Sequence, residues 1–157
     1  MKAMPSDPGS LVTALLFEPF ELWWAMQQDA TLAHRPMVSI RDDRVAHANP
    51  AARREGITPG LPLAGAKLKT SNLHVVDTEA DRLKLQWSWQ LGQLNAWSPW
   101  LHSPVVGRAW LLVSPAEARR LPLEYGVQAG AAASQEVALA AALLVVAREL
   151  VEVLFDL

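Results

Sequence analysis

The chain has 157 residues, 51% of them hydrophobic and 19% charged, with a formal net charge of −2. That length suits one ordinary domain with a real core, and the charge argues against a domain that grips nucleic acid through one broad basic face. With no cysteine in the sequence, disulfides, thiolate zinc sites and cysteine nucleophiles are excluded.

Taken in order, residues 1–9 carry no apolar run and make a poor signal peptide. Leu11 to Phe17 is a short apolar stretch suited to a central strand. Pro19 breaks it, and a helix follows in which Phe20, Trp23, Trp24 and Gln27 keep helical spacing, with Asp29 to His34 ending the element. Met37–Ile40 and Arg44–His47 flank Arg41-Asp42-Asp43, the pattern of a hairpin. In Val45–Ala66, Asn49 is a helix N-cap with Pro50 in the first turn, and Gly56 supplies the left-handed residue that stops the helix. Thr58-Pro59-Gly60 is a turn, and Pro62 opens a second helix through Lys69.

A short strand at Leu73–Val76 precedes a long helix from about Glu79 to Ala96, where Ala80, Leu83, Trp87, Leu91 and Leu94 form one apolar face. Trp97–Leu101 and Ala109–Val113 read as strands, and Ser114-Pro115-Ala116-Glu117 as a helix start with a capping box. Tyr125–Ala131 is a small-residue strand, and Ser134 caps a final helix running to Leu157. This order predicts an α+β fold, a mixed sheet with helices on one face and a small helical insert. The longest apolar run, Val137–Ala147, has eleven residues, against the ~20 of a membrane span, so a soluble, cytoplasmic protein is expected.

Chemistry is sparse. His34, His47, His74 and His102 have no metal-ligand spacing and read as isolated surface or loop residues. Asp42-Asp43 is better explained by turn chemistry than by a metal. Of seven tryptophans, Trp87 and Trp23 belong to the core by periodicity, while Trp89, Trp97, Trp100 and Trp110 cannot all point inward. Arg53 and Arg54 are candidates for phosphate or nucleic-acid contact. No cofactor and no metal are expected.

The segment Val45–Val76, VAHANPAARREGITPGLPLAGAKLKTSNLHVV, resembles the fingers segment of the Y-family translesion DNA polymerases, A-S-Y-E-A-R-x-x-G-V-x-x-G-M-P-L-x-x-A-x-x-L-x-P-x-L-x-V-V. Arg53, Gly56, Gly60, Pro62-Leu63, Ala66, Leu68 and Leu73 fall in register. Leu16 to Leu22 resembles the L-H-F-P-x-L-P-L opening of ImuB-type proteins from bacterial mutagenesis cassettes, and Trp97-Ser98-Pro99 resembles the family's Y-T-P turn. The resemblance implies a ferredoxin-like palm from residues 10–44 and 73–157 with a fingers-like insert over 45–72. It also implies metal-binding carboxylates, for which this chain has Glu18 at the first position and Gly107 and Arg108 in place of the adjacent acids. Pro50 replaces the tyrosine that helps hold the incoming triphosphate, Arg53 keeps the accompanying arginine, and Leu139 replaces a lysine.

The expectation is therefore a degenerate family member that is not an enzyme. It would act in the bacterial DNA-damage response through a protein partner: a recombinase-like protein, a polymerase or the sliding clamp. Val153, Leu154 and Phe155 resemble the Leu-Phe peptides that bind the clamp. Nucleic acid would be touched weakly or indirectly, with no membrane involved. Two alternatives stay open: a single-stranded DNA-binding accessory protein using Arg53, Arg54 and exposed indoles, and a homodimeric module built on the C-terminal helix.

Overall fold

The apolar run LVTALL forms strand β1 (Leu11–Leu16) in the computed structural model, which describes residues 9–17, 19–121, 127–132, 138–139 and 141–142. After it come α1 (Phe20–Gln28), a 3-10 turn at Ala30–His34, the strands β2 (Met37–Arg41) and β3 (Arg44–Ala48), and the helices α2 (Pro50–Arg54) and α3 (Leu63–Lys69). The rest is β4 (His74–Val76), α4 (Ala80–Asn95), β5 (Leu101–Val105), β6 (Arg108–Val113), α5 (Pro115–Ala118) and β7 (Gln128–Ala132). The α+β class stands, with the strands divided between a four-stranded and a three-stranded sheet. The described residues fall into two compact units, 9–17 with those from 84 onward, and 19–83. No described helix is long and apolar enough to cross a membrane.

In the first unit the sheet order is β5-β6-β1-β7, every neighbouring pair antiparallel. Period-two alternation along β1 sends Val12, Ala14 and Leu16 to one face, where they pack with Trp100, Trp110, Ala138 and Ala142. Close approach explains the small-residue strand: a Cβ on Gly130 would run into the Ala138 carbonyl oxygen and the Ala142 amide nitrogen, both backbone. Trp87 and Leu94 are the buried members of the apolar face expected on α4. Trp87 meets Phe17 edge-on at 5.5 Å and donates its indole N–H to Ser103 Oγ at 2.9 Å.

Residues 97–100 do not form the strand expected there. Pro99 has no N–H to give a ladder, and the buried Ser98 hydroxyl bridges the segment instead. Its oxygen accepts from Trp100 N–H at 3.2 Å and lies 2.7 Å from the Leu112 carbonyl. The strand begins at Leu101. Trp23, Trp87, Trp100 and Trp110 are buried, whereas Trp89 is 58% exposed. The capping box at Ser114 and Glu117 is present, with both reciprocal hydrogen bonds.

The second unit has sheet order β3-β2-β4, with an antiparallel hairpin and a parallel β2–β4 pair. The hairpin turns on Asp42 and Asp43, both at positive φ (51° and 57°), the primed geometry that matches strand twist. Asn49 fixes the next junction. Its Oδ1 accepts from Ala52 N–H and from Met37 N–H, both at 2.9 Å, and its Nδ2 donates to the Arg35 carbonyl at 2.8 Å. Gly56, at φ +78°, ends α2 in a Schellman arrangement: its N–H reaches the Arg53 carbonyl (2.9 Å) and Ile57 N–H the Ala52 carbonyl (3.1 Å). Ala52, Ile57 and Ala66 then pack on Val38, Val45 and Ala48. The whole of 45–72 lies in this unit.

Two stability measurements check this reading. Asn49→Ala removes a cap and strands the buried Met37 N–H, and urea unfolding should show a loss of about 2–4 kcal/mol. Asp43→Gly relieves a left-handed side chain and should raise stability by roughly 0.5–1 kcal/mol in the same assay. A loss on Asp43→Gly would mean that the Asp43 side chain contributes more than its backbone strain costs.

Candidate functional site

The end of β1 and the β5–β6 turn meet where the resemblance places catalytic acids. Phe17 N–H donates to the Gly107 carbonyl at 2.7 Å, and Arg108 registers opposite Leu16 and Val105. Glu18 lies outside the described residues, as do Val153, Leu154 and Phe155 and most of the expected C-terminal helix. Gly107 sits at φ +84°, a conformation that L side chains rarely adopt, so the turn itself calls for glycine. A glycine and a cationic arginine are not a donor set for divalent cations, and no group of three metal-ligating side chains occurs among the described residues.

In the second unit, Arg53 and Arg54 both reach solvent from the last turn of α2. Arg53 Nε donates to the Ala48 carbonyl at 3.0 Å. That bond ties the guanidinium to the end of β3 while its terminal nitrogens remain able to fork onto an anion.

One residue before Ala48 stands His47, and here the structure corrects the reading of His47 as isolated. Its Nδ1 lies 2.7 Å from Glu21 Oε1 on α1. Ser39 on β2 donates its hydroxyl to the same Glu21 oxygen at 2.9 Å and lies 3.1 Å from Nδ1. The short contact to a carboxylate makes Nδ1 the protonated nitrogen, which leaves Nε2 of the neutral ring as the acceptor. This is no serine-nucleophile triad, because Ser39 meets Nδ1 and the acid rather than Nε2. It is a device for holding an imidazole. The ring is 47% exposed and the carboxylate 14%.

Burial alone would raise the Glu21 pKa, but hydrogen bonds from His47, its own backbone and Ser39 outweigh burial and hold it below the usual glutamate value. The pairing of Ser39 with His47 depends on a bulge between Ser39 and Ile40, which alternation in the sequence does not give. Glu21, 26 residues from His47, left no local signal.

No protein-family model matches the chain, and no curated protein matches it. Solved structures do. A Dbh ternary complex superposes with a TM-score of 0.68 at 20% identity, covering 84% of this chain and 44% of that one. A Y-family DNA polymerase chimera of Dbh and Dpo4 gives 0.68 at 17%, with 84% and 45% covered. DinB from Sulfolobus solfataricus gives 0.62 at 17%, again with 84% and 45%. The chain thus has the fold of part of a Y-family DNA polymerase and spans less than half the length of these chains.

This finding corrects the expectation that the chain is not an enzyme, because the solved structures that share its fold are DNA polymerases. The inference leaned on Gly107 and Arg108 together with Pro50 and Leu139, and of these Gly107 has a sufficient cause in its turn conformation.

Glu21 gives the site a pH signature. A carboxyl whose folded pKa is lowered contributes stability above its unfolded value, and that stability is lost as pH falls through the folded value. Glu21→Gln should cost about 1–2 kcal/mol at pH 7. The gap to the native chain should close as pH drops below about 4, followed by thermal unfolding from pH 7 to pH 3. A gap that stays constant across this range would show that Glu21 ionisation is not linked to folding.

Proposed function

We propose that this chain works in the DNA-damage response as a Y-family-type palm-and-fingers portion, related to the ImuB-type proteins of bacterial translesion mutagenesis. In this reading residues 45–72 are the fingers-like insert, and the chain acts together with a protein of the replication or repair machinery. The observation that carries the proposal is the fold likeness to Y-family DNA polymerases over 84% of the chain.

The second unit supports a nucleotide-handling role. Arg53 is anchored through Nε to the Ala48 carbonyl, and the adjoining His47 ring is held by Glu21 and Ser39. Arg53 then serves as a phosphate-binding residue, its fork matched to paired phosphate oxygens.

The test is genetic. Deleting the gene in its source organism should lower ultraviolet-induced mutation frequency several-fold while spontaneous mutation frequency holds. Complementation with Arg53→Ala should restore only part of the induced frequency. An induced mutation frequency unchanged by the deletion would overturn the proposal.

A further inference from the structure

Helix α4 has two apolar faces, and only one of them is buried. Trp87 and Leu94 close the inner face. On the outer face Leu85 is 72% and Trp89 58% exposed, and Ser88 and Gly92 are exposed with them. At 3.6 residues per turn these four fall within about 100° of arc and form a single stripe. No charged residue occurs between Leu85 and Ala96. The stripe therefore offers no cation to phosphate and no charge pattern that would select an acidic or a basic partner.

Gly92 is the residue that the fold of one chain does not explain. A glycine inside a helix weakens it relative to alanine. The Gly92 backbone is not left-handed, and a Cβ there would meet no described atom within 4 Å. Neither turn geometry nor packing within the described chain calls for a missing side chain. Close approach of a second helix does, because the distance between packed helices is set by the side chains at their contact.

We propose that α4 is a self-association surface, packing antiparallel on α4 of a second copy about a two-fold axis that passes between Ser88 and Trp89, independently of the nucleotide-handling role given to the second unit. In that register each large side chain meets a small one. Leu85 faces Gly92 of the second copy, Trp89 faces its Ser88, and the two-fold repeats both contacts. Along the flanks Arg82 runs beside Gln93 and Lys84 beside Asn95 of the second copy, so each cation meets an amide. A parallel pair would set Arg82 and Lys84 against their own copies, and like charges in register oppose association. It would also align the two helix dipoles, which the antiparallel pair opposes favourably. Size and charge thus select a second copy in one orientation. Two turns of helix make a contact below the size of a permanent interface, so the dimer is weak and reversible.

The experiment is sedimentation equilibrium of the full chain, from about 1 to 300 μM, which should show a monomer–dimer equilibrium. Trp89→Ala and Gly92→Leu should each raise the dissociation constant at least about tenfold. Thermal midpoints at low concentration should not fall in either variant, since alanine and leucine are good helix formers. The chain has no cysteine, so single cysteines report the register. Ser88→Cys lies beside the axis and should cross-link to its own copy on oxidation with diamide, within the reach of a disulfide. Asn95→Cys, with its copies about 20 Å apart along the helices, should not.

A monomer across the whole concentration range would overturn the proposal. So would a dimer left unchanged by Trp89→Ala or by Gly92→Leu, which would place self-association elsewhere on the chain. Cross-linking through residue 95 but not through residue 88 would overturn the antiparallel register and the proposal with it.

Discussion

One amide side chain holds the second unit in register. The backbone groups of Arg35 and Met37, at the entry to β2, and of Ala52, in α2, come from two segments, and such groups must find partners once withdrawn from water. Asn49 satisfies all three at once. In doing so it fixes where β2 starts, where β3 hands over to α2 and how α2 is aimed. The arginines of α2 inherit their positions from that junction, and the Arg53–Ala48 bond lies on its far side. Aspartate could accept the same two N–H groups but could not donate to Arg35, so the junction asks for an amide specifically.

The Glu21–Ser39–His47 group depends on the same scaffold. Ser39 and His47 oppose each other because the hairpin register brings them together, and that register changes beyond Ser39, where a bulge intervenes before Ile40. A one-residue slip would turn His47 to the other face. Packing of α1 through Leu22 against Leu32 and Met37 then brings Glu21 to the imidazole. A half-exposed histidine held this way has its orientation settled before any ligand arrives, which reduces the ordering cost of binding.

How far the sequence could be read depended on the range of the interaction. Asn49-Pro50, Gly56 and the Ser114–Glu117 box are local chemistry, and all appear as expected. Strand β1 follows from a short continuous apolar run and the buried Trp87 from helical periodicity. The bridge at Ser98 was hidden because its partners include Leu112, fourteen residues on, and apolar neighbours made residues 97–101 look like a strand. The Glu21 partnership was hidden for the same reason. The division of strands between two sheets is likewise a property of pairing, which composition and periodicity do not encode.

Gly107 shows how a resemblance can mislead when backbone geometry is left out. Set beside a motif, a glycine at an acidic position looks like chemistry discarded. In the fold it occupies a left-handed turn between two strands, with its carbonyl engaged by Phe17, and a residue without Cβ adopts that conformation at no steric cost. The same atom pattern therefore has a sufficient cause in the backbone alone, and the identity of residue 107 carries no independent information about catalysis. Arg108 differs, because β6 imposes no charge on its first residue.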